Sequence, residues 1–278
     1  MDIVNIDWLE KNLNKSDVII LDCSWHLPNT NRSGEKEFLS ERIPGAIFFN
    51  IDDISDPKSP YSHMIPNEEE FSQKVGKLGI SNNHNIITYD TLGVFSSARV
   101  YWMFKQYGHS RISILNGGLK YWKLKNKKLE TSSPTKKKVA SYHAQLDRSN
   151  IKKFEEVKKN VEHRKFKLID ARPSGRFNGI NPEPRAEIQS GNIKNSLNIP
   201  FTEVIDQTTG CFKDKEELKK IFLSNQINQK DNVVFSCGSG VAACVVGSAH
   251  KSLSKEDNFK VFDGSWTEWA LRNNLKIK

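Results

Sequence analysis

Short apolar runs alternate with amphipathic segments along this chain. In its second half, the β-branched and aromatic runs KLID, SLNIP, NVVFS and FKVFDG are typical of strands. Residues 151–163 and 214–225 have apolar side chains at helical spacing among lysines and glutamates, which predicts two amphipathic helices. The alternation of strand and helix predicts an α/β fold, with an open, mostly parallel sheet that has helices on both faces.

The same order of segments occurs twice. Four pairs of similar segments occur in chain order: VIILDCSW with FKLIDARP, RIPGAIFFNI with NIKNSLNIPF, NHNIITYD with KDNVVFSC, and LNGGLKYW with VFDGSWTEW. The separation between the members of a pair is nearly constant, which indicates a duplicated domain. We therefore predict an N-terminal domain at 1–130, a linker at 131–149 that is rich in Lys, Ser and Thr, and a C-terminal domain at 150–278.

Composition and charge narrow the classes of function. The chain has 278 residues, a net charge of +9 and 37% hydrophobic residues, with no apolar run long enough to span a membrane. The N-terminus lacks the pattern of a secretory signal, so we expect a cytoplasmic location. Basic residues collect in KLKNKKLE and TKKKV, where no aromatic residues are interleaved, so we expect neither a nucleic-acid nor a membrane partner.

Four cysteines are present, Cys23, Cys211, Cys237 and Cys244. They form no CxxC motif, and no histidine lies at zinc-ligand spacing from them, so we expect no metal site and no other cofactor. Disulfides are not expected in a reducing cytosol.

One cysteine stands where chemistry is expected. In VVFSCGSGVAACVV, Cys237 ends a strand, Gly238 and Gly240 allow a tight turn, and a helix begins near Val241. A loop of this kind directs backbone N–H groups at its centre, which favours a thiolate or another anion. The matching residue of the first half is Asp90. Because one copy has a charged residue at this position, we do not expect Cys237 to be an inert residue deep in the core.

Several chemistries and one inert interpretation compete for Cys237. A cysteine phosphatase needs an arginine six positions later, where this chain has Ala243. A thiol protease needs a paired histidine, and His250 lies too far along the helix. Sulfur transfer through a persulfide remains, beside a buried cysteine without chemistry, which we expect for Cys23, Cys211 and Cys244.

Over about residues 3–270 the chain resembles the two-domain rhodanese family. The features that carry this resemblance are the duplicated halves, the acidic residue Asp90 in the first loop, and the segments NGGLKYW and FDGSWTEW. CGSGV and GRFNGINPEPR resemble the branch of that family that acts on 3-mercaptopyruvate. The resemblance implies two tandem rhodanese-like domains, of which the first is non-catalytic and the second contains the active site.

The resemblance also implies roles for individual residues. Sulfur passes from 3-mercaptopyruvate to Cys237, pyruvate leaves, and the persulfide is delivered to a thiol, to thioredoxin or to cyanide. The implied catalytic residues are Cys237, Ser239, His63 and Asp52. The implied substrate-binding residues are Arg176, Arg185, Gly238, Gly240, Val241 and Ala242. The family usually has threonine where this chain has Ala242.

Three other functions stay open from the sequence. A thiosulfate:cyanide sulfurtransferase ranks second, because the dianion thiosulfate favours cations beside the sulfur and GSG supplies none. A non-catalytic binding module would use the loop as an anion pocket or a docking surface. A persulfide relay to a protein partner, for example in tRNA thiolation, is the third.

Overall fold

The computed structural model describes residues 2–134, 137–254 and 257–275, so residues 135 and 136 of the predicted linker lie outside the described residues. The chain forms two units. The N-terminal unit contains the chain up to Pro57 together with Ile65–Asp147 and Gln207–Phe212. The C-terminal unit contains Lys58–Met64, Arg148–Asp206 and the chain from Lys213 onward. In the described residues, no helix has the length and apolar character needed to cross a membrane.

The N-terminal unit is built on a five-stranded sheet in which every described pairing is parallel, with the order β1-β5-β4-β2-β3. Its strands are β1 (Ile3–Val4), β2 (Val18–Asp22), β3 (Ile47–Phe48), β4 (Asn85–Tyr89) and β5 (Ile112–Leu115). Its α-helices are α1 (Ile6–Asn12), α2 (Gly34–Ser40), α3 (Ile51–Ile54), α4 (Glu68–Lys77), α5 (Ser96–Gln106) and α6 (Gly118–Leu124).

The C-terminal unit repeats this plan with the order β6-β10-β9-β7-β8, again parallel in each described pairing. Its strands are β6 (Ile151–Lys152), β7 (Lys167–Asp170), β8 (Leu197–Asn198), β9 (Val233–Ser236) and β10 (Lys260–Phe262). Its α-helices are α7 (Phe154–His163), α8 (Ser174–Phe177), α9 (Lys215–Ser224), α10 (Val241–Lys251) and α11 (Ser265–Arg272). The predicted α/β fold with a parallel sheet in each half is confirmed.

Each unit has one helix that is almost completely buried, α5 in the N-terminal unit and α10 in the C-terminal unit. All residues of α10 are buried, and α5 is buried except at Lys105. Strands β4 and β9 are buried along nearly their whole length, as expected for a parallel sheet that is covered on both faces. Because the carboxyl ends of parallel strands meet at one edge, residues that follow β7 and β9 lie close together.

Two local expectations differ from the structure. The helix predicted at 151–163 begins at Phe154, because Ile151 pairs with Val261 as an edge strand and is buried there. Most of the segment predicted as a linker packs on the N-terminal unit, where the Ala140 N–H donates to the Gly76 carbonyl at 3.0 Å. Tyr142 of the same segment is buried.

The two units differ at the carboxyl end of one matching strand, which is β2 in the N-terminal unit and β7 in the C-terminal unit. Burial raises the pKa of the Asp22 carboxyl to about 6, against an ordinary value of 3.8, and the nearby Asp90 adds to the rise. Hydrogen bonds from Ser24 and Tyr89 oppose it only in part. The matching carboxylate of the C-terminal unit, Asp170, has a buried arginine as its partner instead.

We therefore expect Asp22→Asn to stabilise the protein near neutral pH. The folded state holds the Asp22 proton more tightly than the unfolded chain, so wild-type unfolding free energy falls by about 3 kcal/mol as pH rises from about 4 to about 6. The neutral amide lacks this fall. Urea unfolding across that pH range measures the difference, with the exposed Asp17→Asn as control. Parallel pH profiles of wild type and Asp22→Asn would contradict the assignment.

Candidate active site

Cys237 stands at the junction that the sequence predicts. Strand β9 ends at Ser236, and α10 begins at Val241 after a four-residue loop that starts with Cys237. Gly240, the residue before the helix, has φ 80°, a conformation that glycine adopts without strain. Within the described residues no side chain caps this helix end, so its first N–H groups remain available to an anion. The cysteine itself is 3% exposed.

The start of α11 holds the backbone of this loop. The N–H of Trp266 donates to the Cys237 carbonyl at 2.9 Å, and the N–H of Thr267 donates to the Gly238 carbonyl at 3.0 Å. The Thr267 hydroxyl donates to that same Gly238 oxygen at 2.7 Å. These contacts fix the backbone of the loop at Cys237 and Gly238.

His63 and Ser239 are brought together in the C-terminal unit. The Nδ1 atom of His63 lies 2.9 Å from Oγ of Ser239, and both side chains are buried. The short segment Lys58–Met64 that contains His63 belongs to this unit although it is distant in sequence. A buried imidazole and hydroxyl in hydrogen-bond contact can pass a proton between them, whichever tautomer the ring adopts.

Asp52, the fourth implied catalytic residue, lies on α3 in the N-terminal unit. Its Oδ2 atom accepts a hydrogen bond from Nε1 of Trp25 at 3.1 Å. The structure therefore assigns this carboxylate a tryptophan partner in its own unit.

Arg185 lies beside the loop in the C-terminal unit. Its Nη1 atom lies 3.9 Å from the point where a Cβ on Gly238 would stand. Among the described residues, no carboxylate forms an ion pair with this half-buried guanidinium. A free guanidinium is suited to hold a carboxylate by two parallel hydrogen bonds.

Arg176, the second implied substrate ligand, has an acidic neighbour. It lies on α8, and its Nη1 atom is 3.7 Å from Oε2 of Glu183. Its side chain is partly exposed, so the guanidinium retains donors for another anion.

Sequence reasoning missed a buried ionic network beside these arginines. Arg172 donates to both oxygens of Asp170, to Oε1 of Glu183 at 2.6 Å and to the Gly191 carbonyl. Its guanidinium also lies over the ring of Trp266 at 4.5 Å. Although burial acts against the charge, Asp170 and Glu183 raise the pKa of Arg172 above its ordinary value. The network joins the end of β7 to the segment that contains Arg176 and Arg185.

The matching loop of the N-terminal unit is filled by its own side chain. The Asp90 carboxylate accepts the N–H groups of Leu92, Phe95 and Ser97, and the hydroxyl of Ser97. The position that an anion would take is therefore occupied by a carboxylate of the chain.

The other cysteines lie elsewhere. Cys23 and Cys244 are completely buried, and burial raises the pKa of Cys23 well above its ordinary value. The Sγ–H of Cys244 donates to the Gly240 carbonyl at 3.2 Å, and Cys211 is half-buried. In the part of the chain that the structure describes, no cluster of three or more His, Cys, Asp or Glu side chains is arranged to hold a metal ion.

Comparison with known proteins gives consistent matches over most of the chain. The rhodanese-like domain family matches twice, at residues 5–125 and 153–272. The 3-mercaptopyruvate sulfurtransferase of Homo sapiens is 41% identical over 255 residues, which cover 91% of this chain and 85% of the human protein. The thiosulfate sulfurtransferase of Rattus norvegicus is 39% identical, with 97% of this chain and 92% of the rat protein covered.

A solved structure agrees with these matches. The crystal structure of SseA from Escherichia coli, described as a 3-mercaptopyruvate sulfotransferase, superposes with a TM-score of 0.85 and 32% identity. The superposition covers 95% of this chain and 98% of that protein.

Proposed function

This chain belongs to the rhodanese family and is a sulfurtransferase, and we propose that its sulfur donor is 3-mercaptopyruvate. The observation that carries the proposal is the placement of the Arg185 guanidinium beside the Cys237 loop. The loop residues that follow Cys237 are Gly238, Ser239 and Gly240, none of which is a cation. A single bidentate cation is suited to the carboxylate of a keto acid. The relatives named for 3-mercaptopyruvate support the same donor.

The first half-reaction forms a persulfide on Cys237. Its thiolate attacks the thiol sulfur of the donor, the new S–S bond forms, and the C–S bond breaks with its electron pair left on the carbon. The product is the enolate of pyruvate, whose charge Arg185 and Arg176 stabilise through the carboxylate and carbonyl oxygens. The donor's thiol proton passes from the outer sulfur to water, so the persulfide remains as an anion, which the N–H groups at the start of α10 stabilise.

The enolate needs a proton before pyruvate can leave. In the proposal the Ser239 hydroxyl gives it, and His63 replaces it across the 2.9 Å contact. Asp52, which the resemblance also implies as catalytic, stays a prediction. In the second half-reaction a thiolate acceptor attacks the outer sulfur and restores the Cys237 thiolate.

The proposal also covers the sulfur acceptor, the role of the N-terminal unit and the location of the protein. The acceptor of the sulfur is a small thiol, thioredoxin or cyanide. The N-terminal unit is non-catalytic, since the Asp90 carboxylate fills its loop. A cytoplasmic location is also proposed, and four free cysteines agree with a reducing compartment. Thiosulfate is the second candidate donor, because relatives named thiosulfate sulfurtransferase are nearly as similar.

A comparison of donors tests the proposal. We expect kcat/KM to be much higher with 3-mercaptopyruvate than with thiosulfate. Arg185→Gln should lower kcat/KM for 3-mercaptopyruvate by about 10- to 100-fold, the effect of one lost charge-assisted hydrogen bond. Pyruvate release and thiocyanate formation measure the two reactions.

The control is Arg148→Gln, which removes the same charge from an exposed site of the C-terminal unit. It should leave both donors unaffected. A wild-type preference for thiosulfate, or an Arg185 variant that matches this control, would refute the donor assignment while leaving the sulfurtransferase family intact.

A further inference from the structure

Ser265 contacts the nucleophile's backbone in a way that the function above does not use. The Cys237 N–H donates to Oγ of Ser265 at 3.1 Å, and the Ser265 hydroxyl donates to the Phe262 carbonyl at 2.8 Å. The serine is completely buried. Its hydroxyl therefore acts as acceptor and donor at once and fixes the peptide group at which β9 passes into the loop.

This serine has a backbone conformation that side chains disfavour. Its φ is 50°, in the left-handed region that glycine adopts without cost. The residue at the same place in the N-terminal unit is Gly118, with φ 49°. The chain thus keeps a serine in a strained position where its own duplicate has glycine, and such strain is concentrated at functional sites.

The bond that both units share needs no hydroxyl. Leu119 N–H donates to the Asp90 carbonyl at 3.0 Å, as Trp266 N–H donates to the Cys237 carbonyl at 2.9 Å. In the N-terminal unit a Cβ on Gly118 would lie 2.4 Å from the Asp90 carbonyl oxygen, so no side chain fits there. The buried hydroxyl is consequently a feature of the unit that has the cysteine.

We propose that Ser265 is a positioning residue for Cys237. By holding the Cys237 N–H, it fixes the Cα atom and hence the direction in which the sulfur leaves the strand toward the start of α10. The inference rests on the proposed function in taking Cys237 as the nucleophile. It does not depend on which donor supplies the sulfur.

The test is Ser265→Gly, which removes the hydroxyl and also the disfavoured conformation. We expect a Tm equal to or above that of wild type, and a kcat at least about tenfold lower with unchanged KM, because a displaced reactive atom slows chemistry rather than binding. Alkylation of Cys237 by iodoacetamide, followed by mass spectrometry, should slow as well. A purely structural serine would give the opposite result, a lower Tm with kcat retained.

Ser265→Ala removes the hydroxyl but keeps the Cβ, so it provides a second variant with the same expected loss of kcat. The control is Ser248→Ala, a buried serine whose Oγ has no partner in the described residues and which should keep wild-type kcat. Alkylation requires no donor, so a wild type that is inactive with 3-mercaptopyruvate would overturn the proposed function and still leave Ser265 tested. Rates of alkylation and kcat within about twofold of wild type in both variants would overturn the positioning role.

Discussion

Replacing Cys237 with serine is expected to abolish sulfur transfer from both donors while the protein stays folded. A hydroxyl is a far weaker nucleophile than a thiolate, and it cannot form the S–S bond on which the proposed transfer depends. Loss of a nucleophile lowers rates by at least roughly 10⁴-fold, so the variant should fall to the background rate. Pyruvate release from 3-mercaptopyruvate and thiocyanate formation from thiosulfate should both disappear.

The control for this experiment is Cys211→Ser, because Cys211 is half-buried and lies in the N-terminal unit. It should keep wild-type rates. Mass spectrometry after exposure to the donor, without an acceptor, should find one added sulfur on wild type and on Cys211→Ser but none on Cys237→Ser. Retained transfer by Cys237→Ser would place the nucleophile elsewhere and refute the reading of the loop.

The architecture could be predicted because strands and helices each produce a recognisable local pattern of apolar and polar residues. Buried parallel strands such as β9 are continuous apolar runs, and amphipathic helices such as α9 repeat at helical spacing and begin at a capping residue, here Asp214. The edge strand β6 could not be predicted, since its two residues precede a helix without a break in the pattern. Only the pairing of Ile151 with Val261 makes it a strand.

The candidate site was predictable to the extent that it lies in one segment. The Cys237 loop follows from a strand, two glycines and a small-residue helix in sequence. The contact of His63 with Ser239 came from the resemblance alone, because residues so distant in sequence share no local signal. The role of Ser265 was missed for the same reason, although the sequence shows that Gly118 occupies the matching position of the first copy.

The buried ionic network of Arg172 was missed because arginine is usually exposed and a pattern does not show its partners. Its one visible signal was the order Asp170, Ala171, Arg172 at the end of a strand, where the N-terminal unit has Asp22, Cys23 and Ser24. The structure shows one guanidinium that pairs with two buried carboxylates, Asp170 and Glu183, and so also supports the segment of Arg176 and Arg185. Its removal should therefore affect stability more than any other substitution considered for this chain.

Arg172→Met is expected to lower the free energy of unfolding by about 3–5 kcal/mol, the cost of leaving buried charges without their partner. Methionine fills similar space over Trp266, so the loss is electrostatic rather than a cavity. Both Asp170 and Glu183 are buried in the wild-type protein. Because protonated carboxyls are cheaper to bury than carboxylates, part of the stability should return as pH is lowered. Urea unfolding at several pH values, followed by circular dichroism, measures both effects.

Two companion variants decide whether the loss is electrostatic. The surface pair of Arg111 with Asp17 provides the control, and Arg111→Met should cost less than about 1 kcal/mol, since both side chains are half exposed. Adding Asp170→Asn and Glu183→Gln to Arg172→Met removes the unpaired charges and should restore much of the lost stability, because neutral amides cost less to bury than lone carboxylates. A triple variant no more stable than Arg172→Met would show that packing, and not charge, makes this arginine necessary.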